Sequence, residues 1–135
     1  MGIEKIAEVA RILGLGQSFD IEMSAVTSGL VPDKIWKQKV RSREWVVGDT
    51  VNSSIGQGYV LSSPLQLAVM IARIATGNEI LPKLIKSVNG VEKEKIPDQI
   101  NLNENNLNLI RKALFEVTNH KSCLLYTSPS PRDTL

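Results

Sequence analysis

The segment PLQLAVMIARIAT, residues 64–76, constrains the fold most, because it predicts a helix that is apolar on almost every side. Only Gln66, Arg73 and Thr76 in it carry polar side chains. The segment falls short of the roughly 20 residues that a helix needs to cross a bilayer. We therefore expect other protein to cover this helix on most of its surface.

The start of this helix has a specific sequence signal. Ser63 can accept a hydrogen bond from the free amides of the first turn, and Pro64 needs no amide donor at the first helical position. Gln66 can reach back and complete a capping box. The sequence therefore predicts that the helix begins at Pro64.

Apolar residues at helical spacing also predict a first and a last helix. Residues 3–13 are apolar around most of a helix, and Gly14 follows as a candidate C-cap. Residues 107–117 repeat apolar side chains at helical spacing, with Asn103 as a possible N-cap. We predict helices at both places.

Two connections separate the first helix from the apolar segment. Residues 16–32 contain Gly16, Asp20, Gly29 and Pro32, and they favour a loop with short extended pieces. Residues 34–43 carry five Lys or Arg side chains and are interpreted as a solvated connection.

A β-hairpin is predicted after the apolar segment. Residues 82–88 have the β-branched content of a strand, and Asn89-Gly90 is a strong signal for a type I′ turn. The return strand over 91–96 is charged, so we expect it at the edge of a sheet.

These elements leave a packing problem. The first helix and the helix over 64–76 are both apolar over most of their circumference, so they need neighbours on both sides. One hairpin and one further helix are too few to cover them. We therefore expect the chain to be part of a larger domain.

Composition narrows the classes of function. The 135 residues carry 16 Lys and Arg against 14 Asp and Glu, and this net charge of +2 does not indicate a nucleic-acid partner. A single Cys and a single His exclude a disulfide framework and a Cys/His zinc cluster within the sequence. Residues 1–20 lack the pattern of a signal peptide, and no apolar run is long enough for a membrane anchor.

Signatures of catalysis and cofactor binding are weak. The sequence has no G-x-S-x-G motif and no Ser followed three residues later by Lys. Residues 87–89 match S-x-N, but a turn at 89–90 explains them better. The glycine pairs at 14–16 and 56–58 lack the third glycine of a dinucleotide-binding motif.

The remaining candidate residues also favour structural roles. A metal site needs several ligands, so a solvated or hydrogen-bonding role is favoured for His120. Trp36 and Trp45 flank the basic run, but two aromatic residues without a platform strand indicate a surface loop rather than a nucleic-acid site.

The segment GDTVNSSIGQGY is the richest in capping and turn residues. Asp49 can cap a short helix over residues 50–55. Gly56 and Gly58 permit backbone conformations closed to other residues, and Gln57 between them can brace the turn. By themselves, these residues favour a rigid structural turn over a binding loop.

Two stretches resemble a known family. Residues 48–78, GDTVNSSIGQGYVLSSPLQLAVMIARIATGN, resemble part of the transpeptidase domain of class B penicillin-binding proteins, most closely the elongation-type members. Residues 13–39 resemble the same family's passage from an FGLG-like turn to a Gly-Leu-x-Pro and Trp-Lys motif. A weaker resemblance extends from Gly2 to about His120.

The resemblance implies an α+β fragment of the serine β-lactamase/transpeptidase-like fold. It implies a parent D,D-transpeptidase at the periplasmic face of the bacterial inner membrane, held by an N-terminal anchor outside this sequence. In the family, a serine attacks the penultimate D-alanine carbonyl of a peptidoglycan stem peptide and releases the terminal D-alanine. The acyl group then passes to a neighbouring stem amine, and β-lactams acylate the same serine.

The resemblance also implies the partners of the parent protein. These are stem peptides, β-lactams and a cell-wall elongation complex, with no cofactor and no nucleic acid. The family's catalytic motifs, S-x-x-K, S-x-N or S-x-D, and K-[ST]-G, fall before or after the matched region. Lys121-Ser122, which precede Cys123, are interpreted as the loop before the K-[ST]-G strand.

We therefore predict that this chain is inactive and carries no catalytic, cofactor-binding or metal-binding residue. What the resemblance carries over is a structural brace near the active site of the parent protein. Its residues are Asp49, Thr50, Asn52, Gly56, Gln57, Gly58 and Gln66.

Two parts of the chain are expected to differ in origin. Residues 1–122 are predicted to be an internal fragment of the transpeptidase domain, whereas residues 123–135, CLLYTSPSPRDTL, resemble translated adapter sequence. One alternative is a small non-enzymatic module that binds an anionic partner through the basic residues 34–43. Another is a β-lactamase or carboxypeptidase parent.

Overall fold

The computed structural model describes residues 2–21, 26–85, 87–89, 91–92 and 96–119. The chain divides into two compact units, residues 1–101 and residues 102–135. The predicted α+β architecture, mostly helical with one hairpin, is confirmed. In chain order the elements are α1 (Ile3–Ile12), α2 (Lys34–Arg41), α3 (Val47–Ser54), α4 (Pro64–Thr76), β1 (Ser87–Val88), β2 (Val91–Glu92) and α5 (Glu104–Asn119).

Helix α1 agrees with its prediction to within one residue. It buries Ile3 and Ala7, which lie one turn apart on the same face. Leu13 is the C-cap, and Gly14 follows with a φ of 99°, a left-handed conformation that glycine adopts without steric cost. The predicted helix stop is therefore confirmed.

Helix α2 corrects the prediction of a solvated connection over 34–43. Asp33 is its N-cap, and its carboxylate accepts a hydrogen bond from the Trp36 amide at 2.8 Å. The helix ends at Ser42, which has a φ of 52°. The prediction was wrong because it read the density of basic side chains as solvation, although one of them, Lys37, is buried.

Helix α3 begins earlier than the sequence suggested. Its N-cap is Val46, so Asp49 lies at the third helical position and not at the cap. The Asp49 carboxylate still serves the helix start, because it accepts a hydrogen bond from the Val46 amide at 2.8 Å. A carboxylate in the first turn also interacts favourably with the helix dipole.

Helix α4 has the predicted bounds and the predicted capping box. The Gln66 amide donates to Ser63 Oγ at 3.3 Å, and the Ser63 amide donates to Gln66 Oε1 at 3.0 Å. Gly77 ends the helix with a φ of 74°. None of the helices in the described ranges is both long and apolar enough to cross a bilayer.

The core of the first unit lies against one side of α4. Phe19 and Ile21 from the connection after α1 pack with Val69 in a buried cluster, and Leu65 joins its edge. The opposite side of α4 stays open within the described residues, where Leu67 is 45% and Ile71 49% exposed. The expected cover for this helix is therefore only partly supplied by those residues.

Within the described residues, the hairpin pairs residues 87–88 with 91–92, antiparallel, with Val88 opposite Val91. Residues 93–95 of the predicted return strand lie outside the described residues. Asn89 has the positive φ, 51°, that the predicted turn needs, and Gly90 lies outside the described residues. Of the predicted strand over 82–88, residues 87–88 form β1, residues 82–85 are not in a strand, and residue 86 lies outside the described residues.

Two isolated antiparallel bridges fix the long connections of the first unit. Leu30 and Leu61 exchange backbone hydrogen bonds at 2.7 and 3.0 Å, which joins the loop before α2 to the segment before α4. Asn78 pairs with Gln99. These bridges hold the connections before and after α4 in place.

Helix α5 makes up the described part of the second unit. The Asn105 amide donates to Asn103 Oδ1 at 2.9 Å, which confirms the predicted cap. Arg111 pairs with Glu104 at 2.7 Å along the helix surface. His120, Lys121-Ser122 and the tail over 123–135 lie outside the described residues.

Candidate functional site

The first cluster of the candidate site joins α2 to α3. Lys37 Nζ lies 2.5 Å from Asp49 Oδ2, and the lysine side chain is almost completely buried. Trp45 and Tyr59 cover its ammonium group, with each ring centroid 5.9 Å from Nζ. We call Lys37 and Asp49 with these two rings the α3 corner; it holds a charge pair against aromatic faces.

The Lys37 ammonium group is the main influence on the ionisation of Asp49. Its hydrogen bond to the carboxylate, followed by that of the Val46 amide, holds the pKa of Asp49 below the ordinary 3.8. Asp49 is therefore ionised at neutral pH.

Thr50 has a partner of its own. Its hydroxyl oxygen accepts a hydrogen bond from Trp45 Nε1 at 2.8 Å. This bond holds the indole ring next to Lys37, and Trp45 lies half-buried in the surface connection between α2 and α3, as predicted. Trp36 also contacts this region, since its ring centroid lies 5.3 Å from that of Tyr59.

The remaining residues of the motif form the turn after α3. The Gln57 amide donates to the Asn52 carbonyl at 2.9 Å, while the side chains of both residues are exposed. Gly56 and Gly58 have φ values of 72° and 75°, as predicted from their sequence positions. A Cβ at Gly58 would come within 3.3 Å of the Asn52 Cβ, so the turn is also closely packed there.

The second cluster surrounds Gln66, which is completely buried. Its Nε2 donates to the Gln17 carbonyl and to the Ser28 carbonyl, both at 2.7 Å. Its Oε1 accepts from the Ser63 amide and leaves no room for a side chain at Gly29, where an added Cβ would lie 2.7 Å away. One side chain therefore ties α4 to the connections on either side of residues 22–25.

Arg73 completes this second cluster, and the sequence analysis missed its role. Its side chain is 1% exposed, and its Nη1 donates to the Ile12 carbonyl at the end of α1 at 2.7 Å. Nε donates to the Ile80 carbonyl at 3.2 Å, and Nη2 lies 3.9 Å from Glu79 Oε1. Burial lowers the pKa of Arg73, and Glu79 opposes that shift.

Gln66 and Arg73 lie seven positions apart, two turns along the same face of α4. We call this pair the α4 hub. A single arginine in an otherwise apolar helix was the available sequence signal, but its partners are backbone carbonyls that no side-chain pattern reveals. The α4 hub and the α3 corner form two separate clusters, with no direct hydrogen bond between them within the described residues.

The basic residues 34–43 are largely engaged within the chain. Lys34 pairs with Glu4 at 3.1 Å, Lys37 pairs with Asp49, and the Arg41 guanidinium lies 5.7 Å from the Tyr59 ring centroid. These contacts weaken the hypothesis of a module that binds an anionic partner. In the part of the chain that the structure describes, no group of His, Cys, Asp and Glu has the arrangement of a metal site.

Comparison with known proteins extends over nearly the whole chain. The family model of the penicillin-binding protein transpeptidase domain matches residues 1–130. The peptidoglycan D,D-transpeptidase MrdA of Acinetobacter baumannii is 32% identical over 124 residues, which cover 87% of this chain and 18% of that protein. The chain thus spans less than a fifth of the length of such curated relatives.

Solved structures show the same likeness in three dimensions. Penicillin-binding protein PBP2 of Helicobacter pylori, solved in complex with MreC, has a TM-score of 0.82 and 32% identity. The match covers 94% of this chain and 23% of that one. PBP2 of Pseudomonas aeruginosa, solved in complex with WCK 5153, has a TM-score of 0.81 and 28% identity, covering 94% of this chain and 31% of that one.

Proposed function

The chain belongs to the penicillin-binding protein transpeptidase family, of the PBP2 type, and on that premise we propose that residues 1–122 are an internal piece of a peptidoglycan D,D-transpeptidase. In this proposal the piece contributes to the support of the active site and lacks the nucleophile. The parent protein cross-links stem peptides through an acyl-enzyme on a serine located elsewhere in its sequence.

The chemistry proposed for the parent protein has two steps. The serine hydroxyl adds to the penultimate D-alanine carbonyl, and collapse of the tetrahedral intermediate expels the terminal D-alanine to leave an ester. The amine of a neighbouring stem peptide then attacks this ester and regenerates the serine. β-Lactams acylate the same serine, which makes penicillin labelling a direct test for its presence.

The observation that best supports a supporting role is the α4 hub. Gln66 belongs to the segment that carries the family resemblance, and its amide group joins three parts of the backbone without facing solvent. Such a buried and fully bonded side chain positions helices and does not act on a substrate. We propose the same positioning role for the remaining brace residues, Asp49, Thr50, Asn52, Gly56, Gln57 and Gly58.

Location and partners of the parent protein are part of the same proposal. We place it at the periplasmic face of the bacterial inner membrane, in a cell-wall elongation complex, with stem peptides as substrates and β-lactams as inhibitors. Support comes from the family and from the related PBP2 of Helicobacter pylori, which was solved with MreC. No cofactor is part of the proposed chemistry.

The test uses a fluorescent penicillin on two proteins. The 135-residue chain alone is expected to remain unlabelled. A chimera, in which residues 2–119 replace the matching segment of full-length Helicobacter pylori PBP2, is expected to be labelled covalently. Labelling of the chain alone, or a folded chimera without labelling, would contradict the proposal.

A pair of glutamine variants tests the positioning role within that chimera. Gln66→Ala removes three buried hydrogen bonds and is expected to slow penicillin acylation. Gln38→Ala is the matched control, because Gln38 is exposed on α2 and its side chain makes no hydrogen bond within the described residues. Equal acylation rates in the two variants would count against a positioning role for Gln66.

A further inference from the structure

A groove of about 500 Å³ lies between α1, α3 and α4. Ile6 and Ala10 of α1 form one wall, Leu67 and Met70 of α4 form another, and the end of α3 borders the groove at Ser53. Most of its lining is carbon. A groove of this volume and composition can hold the side chains of an apolar segment.

The groove contains one polar atom without a partner. Ser53 is 7% exposed, and its Oγ makes no hydrogen bond within the described residues. The next residue differs, since Ser54 Oγ donates to the Val51 carbonyl at 2.7 Å. Buried hydroxyl groups are nearly always hydrogen-bonded, so the Ser53 hydroxyl calls for a partner from outside these residues.

The open wall of the groove points to the same conclusion. Leu67 lines the groove and is 45% exposed, although it lies one residue after the completely buried Gln66. Leaving a large apolar side chain half in water forfeits part of its burial free energy. An apolar segment seated in the groove would recover it.

The length of the relatives points to a source for the occupant. The chain matches 23% of the Helicobacter pylori PBP2 chain and 18% of the Acinetobacter baumannii protein, so most of each relative's chain lies outside the matched region. We propose that the groove is the docking surface for an apolar segment from that remaining part, which brings a hydrogen-bonding group to Ser53 Oγ. The identity of this occupant rests on the proposed function, whereas the open groove does not.

The first experiment asks whether the groove of the chain is open. Anilinonaphthalene sulfonate, a dye that brightens in apolar sites, is expected to bind the 135-residue chain. Leu67→Glu places a charge in the groove and is expected to reduce the fluorescence about twofold or more. Ile35→Glu is the control, since Ile35 is exposed on α2 outside the groove.

The second experiment uses the sign of the Ser53→Ala effect in two settings. In the chain alone, the substitution removes an unpartnered buried hydroxyl and is expected to leave the melting temperature unchanged or to raise it. In the chimera with Helicobacter pylori PBP2, it removes a hydrogen bond and is expected to raise the unfolding constant about fivefold. Ser54→Ala is the control, because its internal bond is lost equally in both settings.

Three results would overturn the proposal. The first is the same direction of the Ser53→Ala effect in the chain and in the chimera, and the second is equal dye binding by the Leu67→Glu and Ile35→Glu variants. The third is a dimer of the chain that Leu67→Glu dissociates, which would make a second copy the occupant. A chimera that accepts penicillin without reversing the Ser53→Ala effect would refute this docking surface and leave the proposed function standing.

Discussion

The α4 hub and the α3 corner bury polar side chains in different ways. In the α4 hub, Gln66 and Arg73 donate mainly to backbone carbonyls, and both are almost completely enclosed. In the α3 corner, Lys37 pairs with Asp49, whose side chain is still 14% exposed. Water can therefore replace a lost partner at Asp49 more easily than at Gln66. The stability that the α4 hub provides should depend on the shape of the side chains in it. The stability that the α3 corner provides should depend on pH and salt concentration.

Gln66→Ala should have the largest effect. It leaves the carbonyls of Gln17 and Ser28 buried without a donor and the Ser63 amide without its acceptor. We expect a loss of about 3–5 kcal/mol in the free energy of unfolding, measured by urea denaturation. The Gln38→Ala control should change it by less than about 0.5 kcal/mol. A small change in the free energy of unfolding on Gln66→Ala would mean that water replaces the lost hydrogen bonds in the α4 hub, as we expect at Asp49 in the α3 corner.

Arg73→Met should come next, with a loss of about 2–4 kcal/mol. The substitution keeps the apolar stem and removes the donors to the carbonyls of Ile12 and Ile80. Arg73→Lys should recover only part of the loss, because one ammonium group cannot reproduce the planar fork of donors. Full recovery with lysine, in the same urea titration, would show that charge rather than geometry is what the hub requires.

Ser63→Ala separates the helix cap from the hub. The substitution removes the oxygen that accepts the Gln66 amide and leaves the hydrogen bonds of the Gln66 side chain in place. We expect a loss of about 1 kcal/mol, the usual cost of removing an N-cap side chain. A loss as large as that of Gln66→Ala, measured by circular dichroism in urea, would show that cap and hub form a single unit.

Asp49→Asn should have a clear effect on the dependence of stability on pH. Hydrogen bonds from Lys37 and Val46 lower the pKa of Asp49 in the folded protein, so the ionised carboxylate favours folding above its ordinary pKa of 3.8. This contribution is lost as the pH falls from there through the lowered value. The variant should therefore lose less stability than the unsubstituted chain as the pH falls below the ordinary pKa of 3.8.

Urea midpoints at several acidic pH values would test this difference. Asp33 and Glu4 also have lowered pKa values, so the variant should keep part of the acid sensitivity. At Asp33, burial raises the pKa, but the hydrogen bonds from the Trp36 amide and the Arg11 side chain together outweigh it and leave the pKa lowered. If stability falls with pH in the same way in the variant and in the unsubstituted chain, the α3 corner does not sense pH.

Local patterns predicted the parts of the fold that depend on near neighbours. The capping box of α4 joins Ser63 and Gln66, three positions apart, and both its hydrogen bonds form as expected. The positive φ values of Gly56 and Gly58 follow from residue type in the same way. Such features are visible because every participating group lies within one or two turns.

Features that depend on distant partners were not predictable. Lys37 is buried because Asp49 and two aromatic rings surround it, and nothing in residues 34–43 alone indicates this. Arg73 depends on the Ile12 carbonyl, 61 positions away. Residues 82–85 of the predicted strand over 82–88 are not in a strand, and their composition alone could not show this, because strand propensity depends on the neighbours that a residue packs against.

The segment between Asn78 and Gln99 is a suitable place to insert residues, because hydrogen bonds hold its two ends together. Besides the bridge, the Glu79 amide donates to the Asp98 carbonyl at 2.6 Å and the Ile100 amide donates to the Gly77 carbonyl at 3.0 Å. These hydrogen bonds close the segment into a loop. Adding residues to a loop that is already closed costs little entropy. Tags, epitopes or extra residues grafted at its tip should leave both polar clusters undisturbed.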